Sequence, residues 1–203
     1  MNLDQINRLL TEAMKLTNHR DFVIIGSLSA LGSTQRPLPE RMTMSTDVDF
    51  YPKNDPGRAS EIANKFGLGS DFEQQHGYYA DAVSPALPTL AEGWQTRLVR
   101  VNFENGVTAW FLDPNDAAVS KYARCEERDR EWIRAGLLAD ILSLPTIEYR
   151  FRETIMTEPG ESKRAKQALE EDRVWLAEQQ TGLGSSETPS EYTPEDDAPS
   201  PAN

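Results

Sequence analysis

"STDVDF", residues 45–50, places two aspartates one residue apart in a run leading into Phe50 and Tyr51, residues that favour strands. Side chains alternate across a strand, so Asp47 and Asp49 share one side while Val48 and Phe50 share the other. Two like charges on one face repel unless a cation sits between them or water screens them fully. The stretch therefore predicts a strand that presents a metal site on one of its faces.

The neighbouring sequence supplies the rest of a sheet. "DFVIIG", 21–26, is a short apolar, β-branched run ending in glycine, which predicts a buried strand. "SLSAL" after it can begin a helix, and "GSTQRPLPERMTM", 32–44, with two prolines, reads as a loop leading into the aspartate strand. "GYYADAV" (77–83), "TRLVRVNF" (96–103) and "VTAWFL" (107–112) are three further strand-like runs. Asn105-Gly106 is a strong hairpin signal between the last two. Helices are expected over 3–16, where Leu3, Ile6, Leu9, Leu10, Ala13 and Leu16 recur at helical spacing, and over 57–67, stopped by Gly67.

From Asp113 a long helix is expected, capped by Asp113, started by Pro114, and running to about Leu144 with loosening at Gly136. "TIEYRFRE" reads as a last strand or an extended arm, and 161–180 as a charged helix. An α+β fold follows: a mixed sheet with flanking helices, a helical C-terminal part and a disordered acidic tail. In residue ranges these are 1–112, 113–182 and 183–203. The tail cannot bury enough apolar surface to offset chain entropy.

Three features carry chemistry. A strand ends at Gly26-Ser27, the Asp47/Asp49 pair follows, and Asp81 interrupts an otherwise strand-like run. A carboxylate there needs a partner if buried, and a hairpin-like or mixed sheet brings it beside the pair. Three gathered carboxylates suit Mg²⁺ or Mn²⁺, which take oxygen ligands from carboxylates, water and phosphates. Gly26 lets the backbone approach a phosphate, and the Ser27 hydroxyl and the helix start after it can donate to one. Metal, phosphate donor and turn together point to nucleotidyl transfer.

Read as "VIIGSLSAL…RMTMSTDVDFY…YYADAV", the chain resembles the polymerase-β-type nucleotidyltransferase superfamily. The addition of "DPNDAAVSKYARCEERDREWIRAGL" is closest to the bacterial branch of abortive-infection and toxin–antitoxin nucleotidyltransferases. The resemblance spans roughly residues 20–140. It implies a nucleoside triphosphate donor, Mg²⁺, an RNA (tRNA) or protein hydroxyl as acceptor, and an antitoxin protein as a partner. It also implies a lysine-containing helical motif after the core, here Lys121, Arg128 and Asp129.

On this reading Asp47, Asp49 and Asp81 hold the metal, and Asp81 also helps activate the acceptor. Gly26, Ser27, Lys121 and Arg128 bind the donor. Lys121, Arg124 and Arg128 fall at i, i+3 and i+7, on one face of a single helix, where triphosphate or RNA backbone can bind. The alternative is a non-catalytic nucleotide-binding or protein-interaction module of the same fold. Arg41, on a proline-bounded loop six residues before the pair, is placed to reach a phosphate but reads first as a surface loop charge, Cys125 as a small packed residue, and Trp110, Trp132 and Trp175 as core or interface residues. His19 and His76 lack ligand spacing.

Composition sets the outer bounds. The 203 residues suffice for one sizeable core, and the formal net charge is −12. Five of those acids lie between Leu183 and Asn203, where there is no Lys or Arg, so the body carries −7 of the −12. Such a balance does not exclude an anion bound at a local basic patch. One cysteine cannot form an intramolecular disulfide, which fits a reducing cytoplasm. The start lacks a basic flank before an apolar run, and no stretch approaches eighteen apolar residues. Neither a secretory signal nor a membrane span is expected.

Overall fold

The computed structural model describes residues 1–33, 37–86, 88–156 and 160–183. Asn2 starts the first helix, α1 (Leu3–Thr17): its side chain accepts from the Gln5 N–H at 3.0 Å, and the Gln5 side chain accepts from the Asn2 N–H at 3.0 Å. This reciprocal box satisfies two of the end's spare donors. The expected stripe buries Ile6, Leu9, Leu10 and Ala13, while Leu16 stays exposed.

Five strands follow, interrupted by helices: β1 (Asp21–Ile24), α2 (Glu40–Thr43), β2 (Asp47–Pro52), α3 (Ala59–Phe66), α4 (Asp71–His76), β3 (Tyr79–Ala82), β4 (Val99–Asn102) and β5 (Thr108–Phe111). The sheet order is β3-β2-β1-β5-β4. β1 runs antiparallel to β2 and parallel to β5, β3 runs parallel to β2, and β4 and β5 form the expected antiparallel hairpin. The sheet is mixed, as the sequence predicts.

Its two faces bury different sets, as the alternation of side chains requires. Phe22, Ile24, Val48, Phe50, Ala109 and Phe111 pack with Ile6, Leu9 and Leu10 of α1 and Ile62 and Phe66 of α3. Val23, Ile25, Tyr51 and Leu112 pack on the other side with the helical C-terminal part. The central strand β1 therefore needs apolar residues at successive positions, which "FVII" supplies.

Three expectations are corrected. The single long helix after Asp113 is three: α5 (Pro114–Arg124), α6 (Glu127–Leu138) and α7 (Leu144–Arg152). Asp113 does cap α5, accepting from the Asn115 N–H at 2.8 Å. The breaks fall at Cys125 and Asp140, both left-handed, with φ of 60° and 55°. Neither is a glycine or proline, so no local breaker marks them. Gly136 does not loosen α6. It makes room, because a Cβ there would lie 2.7 Å from the Leu142 side chain and 3.1 Å from Met42.

"TIEYRFRE" is neither strand nor arm but most of α7. Leu144, Ile147 and Phe151 are buried at helical spacing, and Pro145 begins the helix instead of following one. The loop 32–44 contains α2 and is flanked by a six-residue 3-10 helix, Ser27–Gly32, where "SLSAL" is expected to turn helical. The charged helix over 161–180 is α8 (Glu161–Leu183). From residue 184 the expected disordered tail lies outside the described residues. No helix among the described residues is long and apolar enough to cross a membrane.

Candidate active site

β2 carries the two aspartates as its alternation dictates. Val48 and Phe50 are buried in the core, and Asp47 and Asp49 turn half-buried to the opposite face. The parallel pairing of β2 with β3 sets Asp49 directly beside Asp81. One carboxylate oxygen from each of Asp47, Asp49 and Asp81 lies within 4.8 Å of the others. The Ser45 hydroxyl donates to Asp47 across a short hydrogen bond.

The electrostatics are those of crowded anions. Burial, and then the charges of Asp47 and Asp81, push the Asp49 carboxyl up to about 7, although Lys121 and Arg124 oppose them. Burial and Asp47 also raise Asp81. Among the described residues none of the three is in an ion pair with a Lys, Arg or His. An oxygen-rich, negatively charged cluster of this kind fits a divalent cation of the Mg²⁺ class.

Gly26 stands at the end of β1, against this cluster. Its φ is +69°, and a Cβ there would lie 1.9 Å from Asp49 Oδ2. The glycine thus clears the space that the carboxylate occupies. Ser27 is moored from the far side. Lys121 Nζ donates to its Oγ at 3.0 Å, and Trp132 Nε1 donates to its carbonyl oxygen at 3.2 Å.

Lys121 is only 5% exposed. Its ammonium bonds Asp129 Oδ1 at 3.1 Å and stands 4.9 Å from the centroid of the Trp132 ring. Burial lowers its affinity for a proton, and Asp129 opposes that. Arg124 Nε donates to Asp129 Oδ2 at 2.7 Å, and its second contact goes to Oδ1. Burial alone would raise Asp129, yet Arg124 and Lys121 hold its carboxyl below the usual range. The break at Cys125 makes this triad. It lets α6 fold back so that Asp129 meets two residues of α5.

Asp47, Asp49, Asp81, Gly26, Ser27, Lys121 and Arg128 all line one cavity of about 440 Å³. Arg128 does so from α6, with its side chain 69% exposed and paired to Glu126, so the predicted shared helix face with Lys121 and Arg124 is corrected. The sequence reading gives Asp129 no role of its own and sets Arg124 on a face for triphosphate or RNA backbone, not against Asp129. It also underrates Arg41, which lines the cavity and pairs with Glu131. The eight-residue spacing from Lys121 to Asp129 could not show the contact, since an unbroken helix would hold them about 12 Å apart along its axis.

Of the residues given no catalytic part, Trp132 is buried, while Trp110 and Trp175 are half-buried under cations, Lys53 and Arg100 over the first and Arg134 over the second. His76 packs on Phe72 and Tyr78, and His19 lies 3.6 Å from Asp55. Cys125 is half-buried at the end of α5.

Residues 3–177 match a family described as "nucleotidyltransferase of unknown function (DUF6036)". No curated protein and no solved structure gives a significant match. The chain belongs to that nucleotidyltransferase family.

Proposed function

We propose that the protein is a Mg²⁺-dependent (or Mn²⁺-dependent) nucleotidyltransferase that moves a nucleotide from a nucleoside triphosphate to a hydroxyl of RNA, tRNA foremost, or of a protein. The observation that carries this reading is the convergence of three carboxylates and a buried lysine on one cavity, in a chain of a nucleotidyltransferase family. Asp47, Asp49 and Asp81 would hold the metal, which supplies positive charge to the triphosphate and to the oxygens that gain charge in the reaction. Gly26, Ser27, Lys121 and Arg128 bind the donor phosphates. Asp81, the most exposed of the acids, takes the acceptor proton towards solvent.

In the step itself, the acceptor oxygen forms a bond to the α-phosphorus and loses its proton to Asp81. The bond from that phosphorus to the β-phosphate bridging oxygen breaks, and pyrophosphate leaves with the electron pair. Lys121 gives its charge to the triphosphate, an electrostatic role that its own burial strengthens. The resemblance of residues 20–140 to the abortive-infection and toxin–antitoxin branch supports a place as a toxin or defence component. An antitoxin protein is then the partner that restrains it.

The test is transfer of label. The protein is incubated with each α-labelled triphosphate, Mg²⁺ or Mn²⁺, and total cellular RNA and protein. Label entering one fraction, and lost with Asp49→Asn, supports the proposal and identifies the acceptor. Metal-dependent triphosphate binding without any transfer would make the chain a nucleotide-binding module of the same fold.

A further inference from the structure

Of the four cations that the described residues place on the cavity wall, three are accounted for. Lys121 is pinned between Asp129 and Ser27, Arg124 is bonded twice to the buried Asp129, and Arg128 is the donor ligand proposed above. Arg41 is different. Its backbone is fixed, because the next residue, Met42, is fully buried and packs at Gly136 of α6. Its guanidinium is not buried with it. The side chain is 35% exposed, and its carboxylate partner Glu131 is 51% exposed.

The donors of Arg41 are also underused. One terminal nitrogen meets Glu131 and the other meets the Met44 sulfur at 3.0 Å. Sulfur is a weak acceptor, and a guanidinium offers five N–H groups in a planar fork. A phosphate takes two of these at once with full negative charge, which a single surface carboxylate oxygen does not match. Exposed ion pairs exchange readily, since water solvates both partners. Arg41 also stands on the wall that continues through Met44 and Ser45 to Asp47, whereas Glu131 is not part of that wall.

We infer that Arg41 is a further donor-binding residue, held in reserve by Glu131, which it exchanges for phosphate oxygens when a nucleoside triphosphate enters the cavity. The inference rests on the triphosphate donor proposed above. It differs from a plain tie between α2 and α6 in the sign of its effects. Removing either partner of a tie acts in the same direction. Removing the two partners of an exchange acts in opposite directions, because Glu131 competes with the ligand for the same cation.

Calorimetric titration of the full chain with each Mg²⁺-bound triphosphate tests this, with melting temperature recorded in parallel. Arg41→Ala is expected to weaken binding about tenfold, the loss of one charge-assisted contact. Glu131→Gln is expected to tighten it severalfold, and Arg41→Lys to recover part of the loss. The double variant Arg41→Ala with Glu131→Gln is expected to match Arg41→Ala alone, since Glu131 acts only through the arginine. If wild type binds and Glu131→Gln weakens binding or leaves it unchanged, the pair is a tie and the inference falls while nucleotidyl transfer stands. A silent Arg41→Ala would overturn it in the same way. If wild type binds no triphosphate at all, both fall together.

Discussion

The molecule uses aspartate in two opposite ways. Asp172 of α8 is fully buried, yet Arg134 Nε and a terminal Arg130 nitrogen donate to it at 2.8 and 3.0 Å, and the Tyr122 hydroxyl donates at 3.0 Å. Asp116 of α5 is likewise fully buried and bound by Arg97 on both oxygens, with Arg150 3.2 Å away. These carboxylates clasp helices together, and the chain itself supplies their countercharge. Asp47, Asp49 and Asp81 are more open to water, crowd one another, and are in no ion pair among the described residues. A buried charge is tolerated when its partner is built in. Charges gathered without one are where the metal proposed above would supply the partner from outside.

Mutations should separate the two uses most sharply. Asp49→Asn is expected to abolish transfer while melting temperature holds or rises, because it removes a ligand and relieves repulsion. Activity within about tenfold of wild type would remove the metal assignment, since a lost charge-assisted ligand ordinarily costs more. Asp172→Ala should do the reverse. It takes Arg134's carboxylate and one of Arg130's two, Glu171 remaining, and leaves the buried Tyr122 hydroxyl without its acceptor; with both arginines about a third exposed, the cost is about 1–3 kcal/mol of stability. Urea unfolding measures this, and a loss below about 1 kcal/mol would show the clasp to be ornamental.

The pH dependence is a second way to tell them apart. With chelator present, folded Asp49 keeps its proton up to about 7, whereas in the unfolded chain it releases it near 3.8. Between those values the folded state holds the extra proton, so stability falls as pH rises through that window. The loss from this one group is about 2–4 kcal/mol, complete above its folded value. Melting curves from pH 4 to 8 should show it. Saturating Mg²⁺ and Asp49→Asn should each flatten it, and an equal slope in wild type and Asp49→Asn would contradict the crowding.

The smallest effect concerns Lys121, which stands between the two uses because Asp129 already partners it. Lys121→Ala should weaken triphosphate binding by roughly 1–3 kcal/mol. Titration of donor at fixed Mg²⁺ measures this. Unchanged affinity and turnover would make the lysine part of a third clasp and leave the aspartates as the whole site.

What could be read from the sequence follows the range of the forces involved. Asp47 and Asp49 were legible because the strand period is local, and their apolar alternates Val48 and Phe50 mark the buried face. The neighbourhood of Asp49 and Asp81 was expected of a mixed sheet, but not the parallel pairing that makes it, which spans some thirty residues that include α3 and α4. α4 itself escapes the sequence reading, although Ser70 followed by Glu73 is a helix-start signature, and Ser70 does accept from the Glu73 N–H at 3.2 Å. In "TIEYRFRE", Ile147, Tyr149 and Phe151 alternate as a strand would. The structure buries the first and third and leaves Tyr149 60% exposed, a helical pattern that the letters alone do not decide. The left-handed turn at Cys125 has no local cause. The contacts of Asp129 with Lys121 and Arg124 are made across that turn and favour it from beyond its own residues.

Gly26 has a bearing on any other chain of this kind. Because the Asp49 carboxylate occupies the volume where a methyl would be, the smallest residue of the site determines where the second of the three crowded acids can stand. A relative that keeps all three acids but carries any side chain at this position must house its second acid elsewhere. Among relatives the glycine is thus a diagnostic letter: its loss would flag a dismantled metal seat even where every carboxylate survives.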